Sequence, residues 1–239
     1  MERPAVKQSL AGKTADIAEH EAKRILGEYG IPVTKEMLAT SAGAALAAAK
    51  EIGYPVALKI QSPDISHKTE AKAVRLGLGS DAELAKAYEE ILANARRYMP
   101  EAQIEGVLVQ QMVKGGLEAI LGVTNDALFG PAVMFGLGGI FAEVLKDVSF
   151  RLAPVTKAVA HDMIREIKGY PVLAGARGRA EADVDALADA IVRLSALAVD
   201  LEGEVAELDI NPLFVMEKGA GVKAADALIR PRVKQAKAS

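Results

Sequence analysis

The sequence predicts an α+β or α/β protein with two β-sheets. Segments of near-continuous or alternating apolar residues take turns with segments whose apolar residues recur at helical spacing. Both kinds of segment occur in both halves of the chain, as expected where helices cover sheets. A chain of 239 residues with 51% hydrophobic and 26% charged residues has the composition of a folded globular protein.

The first half predicts three helices and four strands. The first helix is Asp16–Gly30, the second runs from a Ser41 cap to Gly53, and the third begins at Ser80 and stops at Pro100. The strands are the segments "IPVTKEMLA", "YPVALKI", "AVRLGLG" and "IEGVLVQQMV". The flexible "KGG" that follows them is the expected boundary between two lobes.

The second half predicts four strands, two helices and a tail. Strands are expected at "LEAILGVTND", "GPAVMFGLGG", "EVAELDINPLFVME" and "GVKAADALI", the last two as a closing pair. Helices are expected at "TKAVAHDMIREIKGYP" and "AEADVDALADAIVRLSALAVDL". The tail "RPRVKQAKAS" is polar, and we expect it to be mobile.

Composition excludes several classes of function. The chain has no Cys, which excludes disulfides, thiolate catalysis and Cys-ligated metals, and the spacing of its 3 His residues does not suit zinc. A net charge of −3 without a dominant basic face argues against nucleic acid as a partner. No signal peptide or membrane-spanning segment is evident, so we expect a cytoplasmic protein with no membrane partner.

A histidine and a lysine stand side by side in the loop "SPDISHKTEAKAV". This loop follows a buried strand near Lys59, and His67 and Lys68 lie within it. Imidazole can accept a phosphoryl group, and a neighbouring ammonium can neutralise that group. The alternatives are a surface lysine at position 59 and a solvated polar loop.

Three side chains with oxygen ligands alternate along "ELDINPLFV". Glu207, Asp209 and Asn211 should therefore project from one face of a strand, and Asp226 on the next segment could join them. Such ligands suit Mg²⁺ held together with nucleotide phosphates. The alternative is an edge strand with a polar face.

The glycines of "MFGLGGIFAEVLKDVSFRLAP" do not form a dinucleotide-binding motif. Phe141 stands where the third small residue of GxGxxG belongs, and the expected helix is interrupted. We expect Gly136, Gly138 and Gly139 to let the backbone approach a ligand, and Arg151 to hold a phosphate.

Several long motifs together resemble a known family, the ADP-forming acyl-CoA synthetases. They are "EYGIPV", "EIGYPVALKI", "SPDISHKTE", "MFGLGGIFAEVLKDVSFRLAP", "IREIKGYPVLAGARG" and "ELDINPLFV". The match is to the ATP-grasp part of these enzymes and runs from about residue 16 to residue 230. The length resembles the separate β subunit of the heteromeric acetate–CoA ligases.

The resemblance implies an α+β ATP-grasp fold, in which two lobes close on a nucleotide. The implied domains are an N-terminal extension (1–15), an N-terminal lobe with a phosphohistidine loop (16–113), a C-terminal lobe with the Mg²⁺ site (114–230) and a polar tail (231–239). The implied reaction is acyl-CoA + ADP + phosphate ⇌ carboxylic acid + CoA + ATP.

The resemblance also implies the phosphoryl path. His67 matches the family's second phosphorylated histidine, Lys68 would help to hold the phosphoryl group, and Lys59 matches the lysine on the nucleotide phosphates. Arg151 resembles the family's phosphate-site arginine. The partner would be a CoA-binding α subunit that carries the acyl site and the first phosphohistidine, in an α2β2 heterotetramer.

The remaining implied roles concern Mg²⁺ and ATP or ADP. Asn211 matches a Mg²⁺-binding residue, Asp226 the second ligand, and Asp209 the acidic partner in the Asn-Pro motif. Glu118 falls where a nucleotide-site carboxylate is common. The implied adenine-binding linker between the lobes consists of Gln110, Gln111, Met112 and Val113.

One departure from the family concerns the residues after the histidine loop. Many relatives have two glycines there, whereas this chain has Lys72 and Ala73. Two other functions stay open: an ATP-grasp ligase that joins a carboxylate to an amine, and a nucleotide-sensing regulatory module. The acyl substrate and the choice between ATP and GTP are open as well.

Overall fold

The computed structural model describes residues 3–65, 68–139 and 144–232, apart from the side chain of Arg177. His67 and the tail after residue 232 lie outside the described residues. The helices are α1 (Pro4–Leu10), α2 (Glu19–Glu28), α3 (Ala42–Ile52), α4 (Asp81–Tyr98), α5 (Lys157–Glu166), α6 (Tyr170–Leu173) and α7 (Val184–Asp200), with a 3₁₀ turn at Ala176–Gly178. The strands are β1 (Glu36–Ala39), β2 (Val56–Gln61), β3 (Val74–Leu78), β4 (Gly106–Gln111), β5 (Leu117–Asp126), β6 (Gly130–Leu137), β7 (Val148–Leu152), β8 (Val205–Val215), β9 (Val222–Ala224) and β10 (Ala227–Pro231).

Most predicted elements are confirmed, with four differences. Strand β7 was not among the eight predicted strands. The segment "GVKAADALI" forms two strands, β9 and β10, because the chain leaves the ladder at Ala225 and Asp226. The predicted helix after Thr156 is divided into α5 and α6. Helix α1 was not predicted.

The chain divides into two compact units, and the smaller unit is Thr34–Lys114. Its sheet is antiparallel with the strand order β1-β4-β2-β3. Helices α3 and α4 pack on one face, each capped by a serine hydroxyl that accepts a backbone N–H. The core between helices and sheet is built mainly from Ala, Val, Leu and Ile, as expected of a chain in which only 4% of the residues are aromatic.

The larger unit combines residues 1–33 with residues 115–239. Its antiparallel sheet has the order β10-β8-β5-β6-β7, and β9 pairs with the end of β8. Helices α5 and α7 pack against each other and against the sheet. Alternate strand residues point to these helices, and the others form the opposite face, which we call the Asp209 face after the residue on β8 that belongs to it.

The units differ from the predicted domains at the N-terminal end. Val6 and Leu10 of α1 and Ile25 of α2 are buried in the core of the larger unit, and Ile17 pairs with Ile229 of β10. The described residues from 3 to 33 therefore pack with the larger unit, whereas the sequence predicted an N-terminal extension (1–15) and a first lobe that begins at residue 16. The second boundary falls at the predicted "KGG", between Lys114 and Gly115.

None of the helices in the described part of the chain is both long enough and apolar enough to span a membrane.

Candidate functional site

The Asp209 face carries a row of paired residues across five strands. Leu228 pairs with Asp209, Asp209 with Gly122, Gly122 with Met134, and Met134 with Phe150. These residues belong to the lining of a concave region of about 320 Å³. Asp209 thus lies in a largely apolar hollow on the sheet, whose lining also includes Glu207 and Arg230.

Asp209, Asn211 and Asp226 come together where β8 meets the connection between β9 and β10. Ile210 pairs with Ala227, and the backbone N–H of Asn211 donates to the carbonyl oxygen of Asp226 (3.3 Å). The predicted approach of Asp226 to the strand that carries Asp209 and Asn211 is therefore present. It arises because β9 and β10 both pair with β8, which places the connection between them beside Asn211.

The charges here suit a divalent cation. Burial, and then the negative charge of Asp226, raise the pKa of Asp209 to about 6. Two carboxylates that repel each other in a partly desolvated place gain from a shared cation. Among the described residues no group of three or more His, Cys, Asp and Glu side chains could hold a metal. Mg²⁺ commonly binds through one or two carboxylates together with substrate phosphates, so two carboxylates and an amide fit it.

Glu207, although it lies on the same strand and face, is committed elsewhere. Its carboxylate forms an ion pair with Arg230 of β10, which also contacts Asp16. The expectation that Glu207 adds a third ligand is therefore not supported, because its charge is already neutralised.

Glu118 also lies on the Asp209 face, since it is four residues before Gly122 on β5. Its carbonyl oxygen accepts the N–H of Gly138 (2.7 Å). A Cβ atom at Gly138 would lie 3.0 Å from the Cβ of Glu118, and one at Gly136 would lie 2.8 Å from Cγ1 of Val148. These two glycines thus make room for neighbouring side chains, and the expected approach of a ligand is not needed to explain them.

Arg151 does not join the Asp209 face. It pairs with Val133, a core residue, so its side chain starts on the helix side of the sheet. There its guanidinium forms an ion pair with Glu166 of α5 and donates to the carbonyl oxygen of Phe150 (2.7 Å). The expected role of Arg151 as a phosphate ligand does not fit this position.

In the smaller unit, Lys59 lies in the middle of β2. Its neighbours Leu58 and Ile60 belong to the core, so Lys59 projects from the face of the sheet that the helices leave uncovered. The residue is 8% exposed. Lysine side chains are rarely buried to this extent. The position of Lys59 therefore argues against the exposed surface lysine that the sequence also allowed.

The predicted adenine-binding segment begins on β4 and continues beyond it. Gln110 is buried on the same face as Lys59, and its Nε2 donates to Thr34 Oγ1 (2.9 Å). Gln111 pairs with Val56, and its backbone N–H donates to the carbonyl oxygen of Lys35 (2.8 Å). The next two residues, Met112 and Val113, have no regular secondary structure and are half-buried.

The histidine loop begins from a fixed end after β2. The Oγ of Ser62 accepts the N–H of Asp64, whose carboxylate accepts the N–H of Gln103 (2.7 Å). Ile65 is 1% exposed and belongs to the core. The chain is thus anchored up to two residues before His67, which itself lies outside the described residues.

The loop ends with a helical turn that begins at Lys68. The N–H of Ala73 donates to the carbonyl oxygen of Lys68 (2.9 Å), and that of Lys72 to the carbonyl oxygen of Thr69 (3.0 Å). Sequence reasoning missed two residues that contact this turn, Asn94 of α4 and Arg75 of β3. The signal that could have found them was the lysine at position 72, where the family resemblance implies glycine.

Comparisons with known proteins identify the family of this chain. A family model described as an ATP-grasp domain matches residues 8–230. The β subunit of ADP-forming acetate–CoA ligase II from Pyrococcus furiosus is 53% identical over 225 residues, which are 94% of this chain and 95% of that subunit.

Two solved structures of acetyl-coenzyme A synthetase 1 from Ca. Korarchaeum cryptofilum are also similar. One, in complex with coenzyme A and Ca-AMPCP, is 44% identical with a TM-score of 0.89 and covers 96% of this chain and 98% of its own. The other contains coenzyme A and Mg-AMPPCP, with its phosphohistidine segment pointing towards the nucleotide binding site; it is 41% identical, has a TM-score of 0.82 and covers 95% and 98%. The chain therefore belongs to the ATP-grasp family and, within it, to the β subunits of ADP-forming acetate–CoA ligases.

Proposed function

We propose that this chain is the nucleotide-binding subunit of an ADP-forming acyl-CoA synthetase and passes a phosphoryl group through His67. The observation that carries the proposal is the 53% identity to such a β subunit over 94% of the chain. The relatives are CoA ligases, which favours this function over a carboxylate–amine ligase or a regulatory module. The complete reaction is acyl-CoA + ADP + phosphate ⇌ carboxylic acid + CoA + ATP.

The step assigned to this chain ends at ADP. A terminal oxygen of the β-phosphate of ADP forms a bond to phosphorus, while the bond from phosphorus to the imidazole nitrogen of His67 breaks. The ring nitrogen keeps the electron pair and takes up a proton. Such a transfer needs alignment and neutralisation of charge more than covalent help.

The described residues supply that neutralisation. Lys59 and Lys68 bring positive charge for the phosphates, and Asp209, Asn211 and Asp226 would hold Mg²⁺. When bound, Mg²⁺ would neutralise and orient nucleotide phosphates. Support for the metal comes from the raised pKa of Asp209 beside Asp226, since a shared cation would relieve the repulsion. Glu118 and the segment from Gln110 to Val113 are proposed to contact the nucleoside.

A second subunit completes the reaction. The relative from Pyrococcus furiosus is a β subunit, and structures of the synthetase from Ca. Korarchaeum cryptofilum contain coenzyme A. We propose a CoA-binding α subunit that carries the acyl site and the first phosphohistidine, in an α2β2 complex. A cytoplasmic location stays a prediction from the sequence.

Reconstitution tests this function. The purified chain, its cognate CoA-binding subunit, and an equimolar mixture are incubated with acetyl-CoA, ADP, phosphate and Mg²⁺, and ATP is measured by luminescence. A panel of branched, aryl and dicarboxylic acyl-CoA thioesters replaces acetyl-CoA in parallel, since the acyl site is assigned to the partner. We expect ATP only from the mixture, and none from a mixture that contains His67→Asn.

Two results would overturn the proposal. One is ATP formation by the chain alone, and the other is a mixture that forms a stable complex yet makes no ATP from any thioester of the panel. Size-exclusion chromatography of the mixture distinguishes this second result from a failure to assemble.

A further inference from the structure

Lys72 ends the turn after the histidine loop in a backbone conformation that favours glycine. Its φ is +51°, in the left-handed region. The paired hydrogen bonds from Ala73 to Lys68 and from Lys72 to Thr69 form the motif that closes many helices, and Lys72 occupies its left-handed position. Glycine is usual there because a Cβ atom makes this conformation unfavourable. Interactions that hold the backbone of Lys72 would offset the cost of this conformation.

Two side chains hold the carbonyl oxygen of Lys72. Nδ2 of Asn94 donates to it at 2.9 Å, and Nη1 of Arg75 donates to it at 3.2 Å. Arg75 is itself fixed, because its Nη1 also donates to the carbonyl oxygen of Val74 (3.0 Å) and its Nη2 forms an ion pair with Glu90 (3.3 Å). We call this set, Asn94 and Arg75 on the Lys72 carbonyl, the Lys72 clamp.

The clamp connects the turn to a rigid part of the smaller unit. Asn94 lies on α4, and Arg75 lies on β3. On either side of Lys72, Ala71 and Ala73 are buried in the core, and the carbonyl oxygen of Ala73 accepts the N–H of Ile60 (3.0 Å). Rotation at Lys72 would redirect the turn that leads back to Lys68, the residue next to His67.

We propose that Asn94 and Arg75 are positioning residues for phosphoryl transfer at His67, because they hold Lys72 in its left-handed conformation. This inference rests on the proposed function. The clamp stabilises the left-handed conformation at position 72, which a glycine there would adopt without such contacts. It touches neither the nucleotide nor the phosphoryl group, so it affects the rate of transfer more than the binding of ADP or ATP.

A double-mutant cycle tests the inference, with the wild-type chain, Asn94→Ala, Lys72→Gly and the double variant, each assembled with the CoA-binding subunit. The readouts are the first-order rate of His67 phosphorylation from γ-labelled ATP, and KM for ADP in ATP synthesis. We expect Asn94→Ala to lower the rate about tenfold in the Lys72 chain, with KM unchanged, because misplaced reacting groups lose up to about 10²-fold in rate. Glycine adopts the left-handed conformation without strain, so the same change in the Lys72→Gly chain should lower the rate less than about threefold.

Controls separate positioning from stability. Arg96→Ala, an exposed change on the same helix, should leave the rate unaltered, and Arg75→Ala should repeat the pattern of Asn94→Ala. Equal losses from Asn94→Ala in both backgrounds would show a role in the stability of α4 alone and would overturn the inference. An unchanged rate in Asn94→Ala and Arg75→Ala would overturn it too. The proposed function fails separately, through label that persists in His67→Asn.

Discussion

The residues around Asp209 in the larger unit and the histidine loop of the smaller unit are held in place by different means. In the larger unit, Asp209 and Asn211 lie on β8, between β5 and β10, and strand register sets their positions. In the smaller unit, His67 belongs to a loop whose ends are fixed by side-chain contacts to the backbone, at Asp64 and at Lys72. Side chains on paired strands are spaced by the regular hydrogen bonds of the sheet, whereas a loop is held by individual side-chain contacts.

The largest effect is expected from Asp209→Asn, which tests the strand-borne site of the larger unit. Loss of one carboxylate of the pair should weaken Mg²⁺ binding and lower ATP synthesis by the assembled complex by about 1,000-fold, or about 4 kcal/mol. The measurement is the rate against Mg²⁺ concentration. Glu207→Gln is the matched control on the same strand and face, and it should cost less than about threefold, since Glu207 is paired with Arg230. Equal losses in both variants would contradict the assignment of the carboxylates.

The variant Ile65→Ala tests the anchor at the start of the histidine loop. Ile65 is 1% exposed and packs in the core of the smaller unit, so its truncation should lower the free energy of unfolding by about 3 kcal/mol. Urea denaturation measures this. Leu76→Ala, at a residue that is 64% exposed, is the control and should cost under about 0.5 kcal/mol. A cost below about 1 kcal/mol for Ile65→Ala would mean that this end of the loop is not anchored by the core.

The same contrast explains what the sequence could predict. Most strands and helices follow from periodicity, and the alternation of Glu207, Asp209 and Asn211 correctly predicted a shared face. The ion pairs did not follow: Arg230 neutralises Glu207, and Glu166 holds Arg151 on the helix side. Such pairs join residues from different elements, and no periodic pattern encodes them.

The N-terminal boundary and the clamp escaped sequence reasoning for the same reason. The segment from residue 1 to residue 33 precedes the smaller unit in the chain but packs with the larger one, because Ile17 pairs with Ile229. In the sequence Asn94 is an ordinary residue of a predicted helix, and only the structure shows that its amide donates to the carbonyl oxygen of Lys72. In both cases the decisive contact is distant in sequence.

The variant Asp183→Ala tests whether side-chain contacts also hold a turn of the larger unit, the one after β8. The Asp183 carboxylate accepts the N–H groups of Ala186, Gly219 and Gly221, and it fixes the turn after β8. Its loss should lower the free energy of unfolding by about 1.5 kcal/mol. Asp162→Ala, at an exposed helix residue, is the control.

The same residue predicts a pH dependence. Burial alone would raise the pKa of Asp183, but the three backbone donors outweigh it and lower the pKa. A lowered pKa in the folded state means that the stabilisation is complete above the ordinary carboxyl pKa, about 4, and is lost as pH falls through the lower, folded-state value. The difference in unfolding free energy between wild type and Asp183→Ala should therefore shrink below about pH 4. A constant difference down to acid denaturation would contradict this.

Arg151→Ala should have the smallest effect and sharpens the comparison of the two faces of the sheet. Its ion pair with Glu166 is partly exposed, so we expect a loss under about 0.5 kcal/mol in stability and under about twofold in ATP synthesis. A loss of more than about 100-fold in ATP synthesis would place its guanidinium on a phosphate, as the sequence alone suggested.

The most direct test of the account follows the phosphoryl group itself. The chain is incubated with γ-labelled ATP and Mg²⁺, the label is tested for acid lability and alkali stability, and the labelled peptide is identified by mass spectrometry. We predict an acid-labile phosphoryl group on His67, which chases into ATP when unlabelled ADP is added, and no label on His67→Asn. Full turnover by a complex that contains His67→Asn would contradict the account.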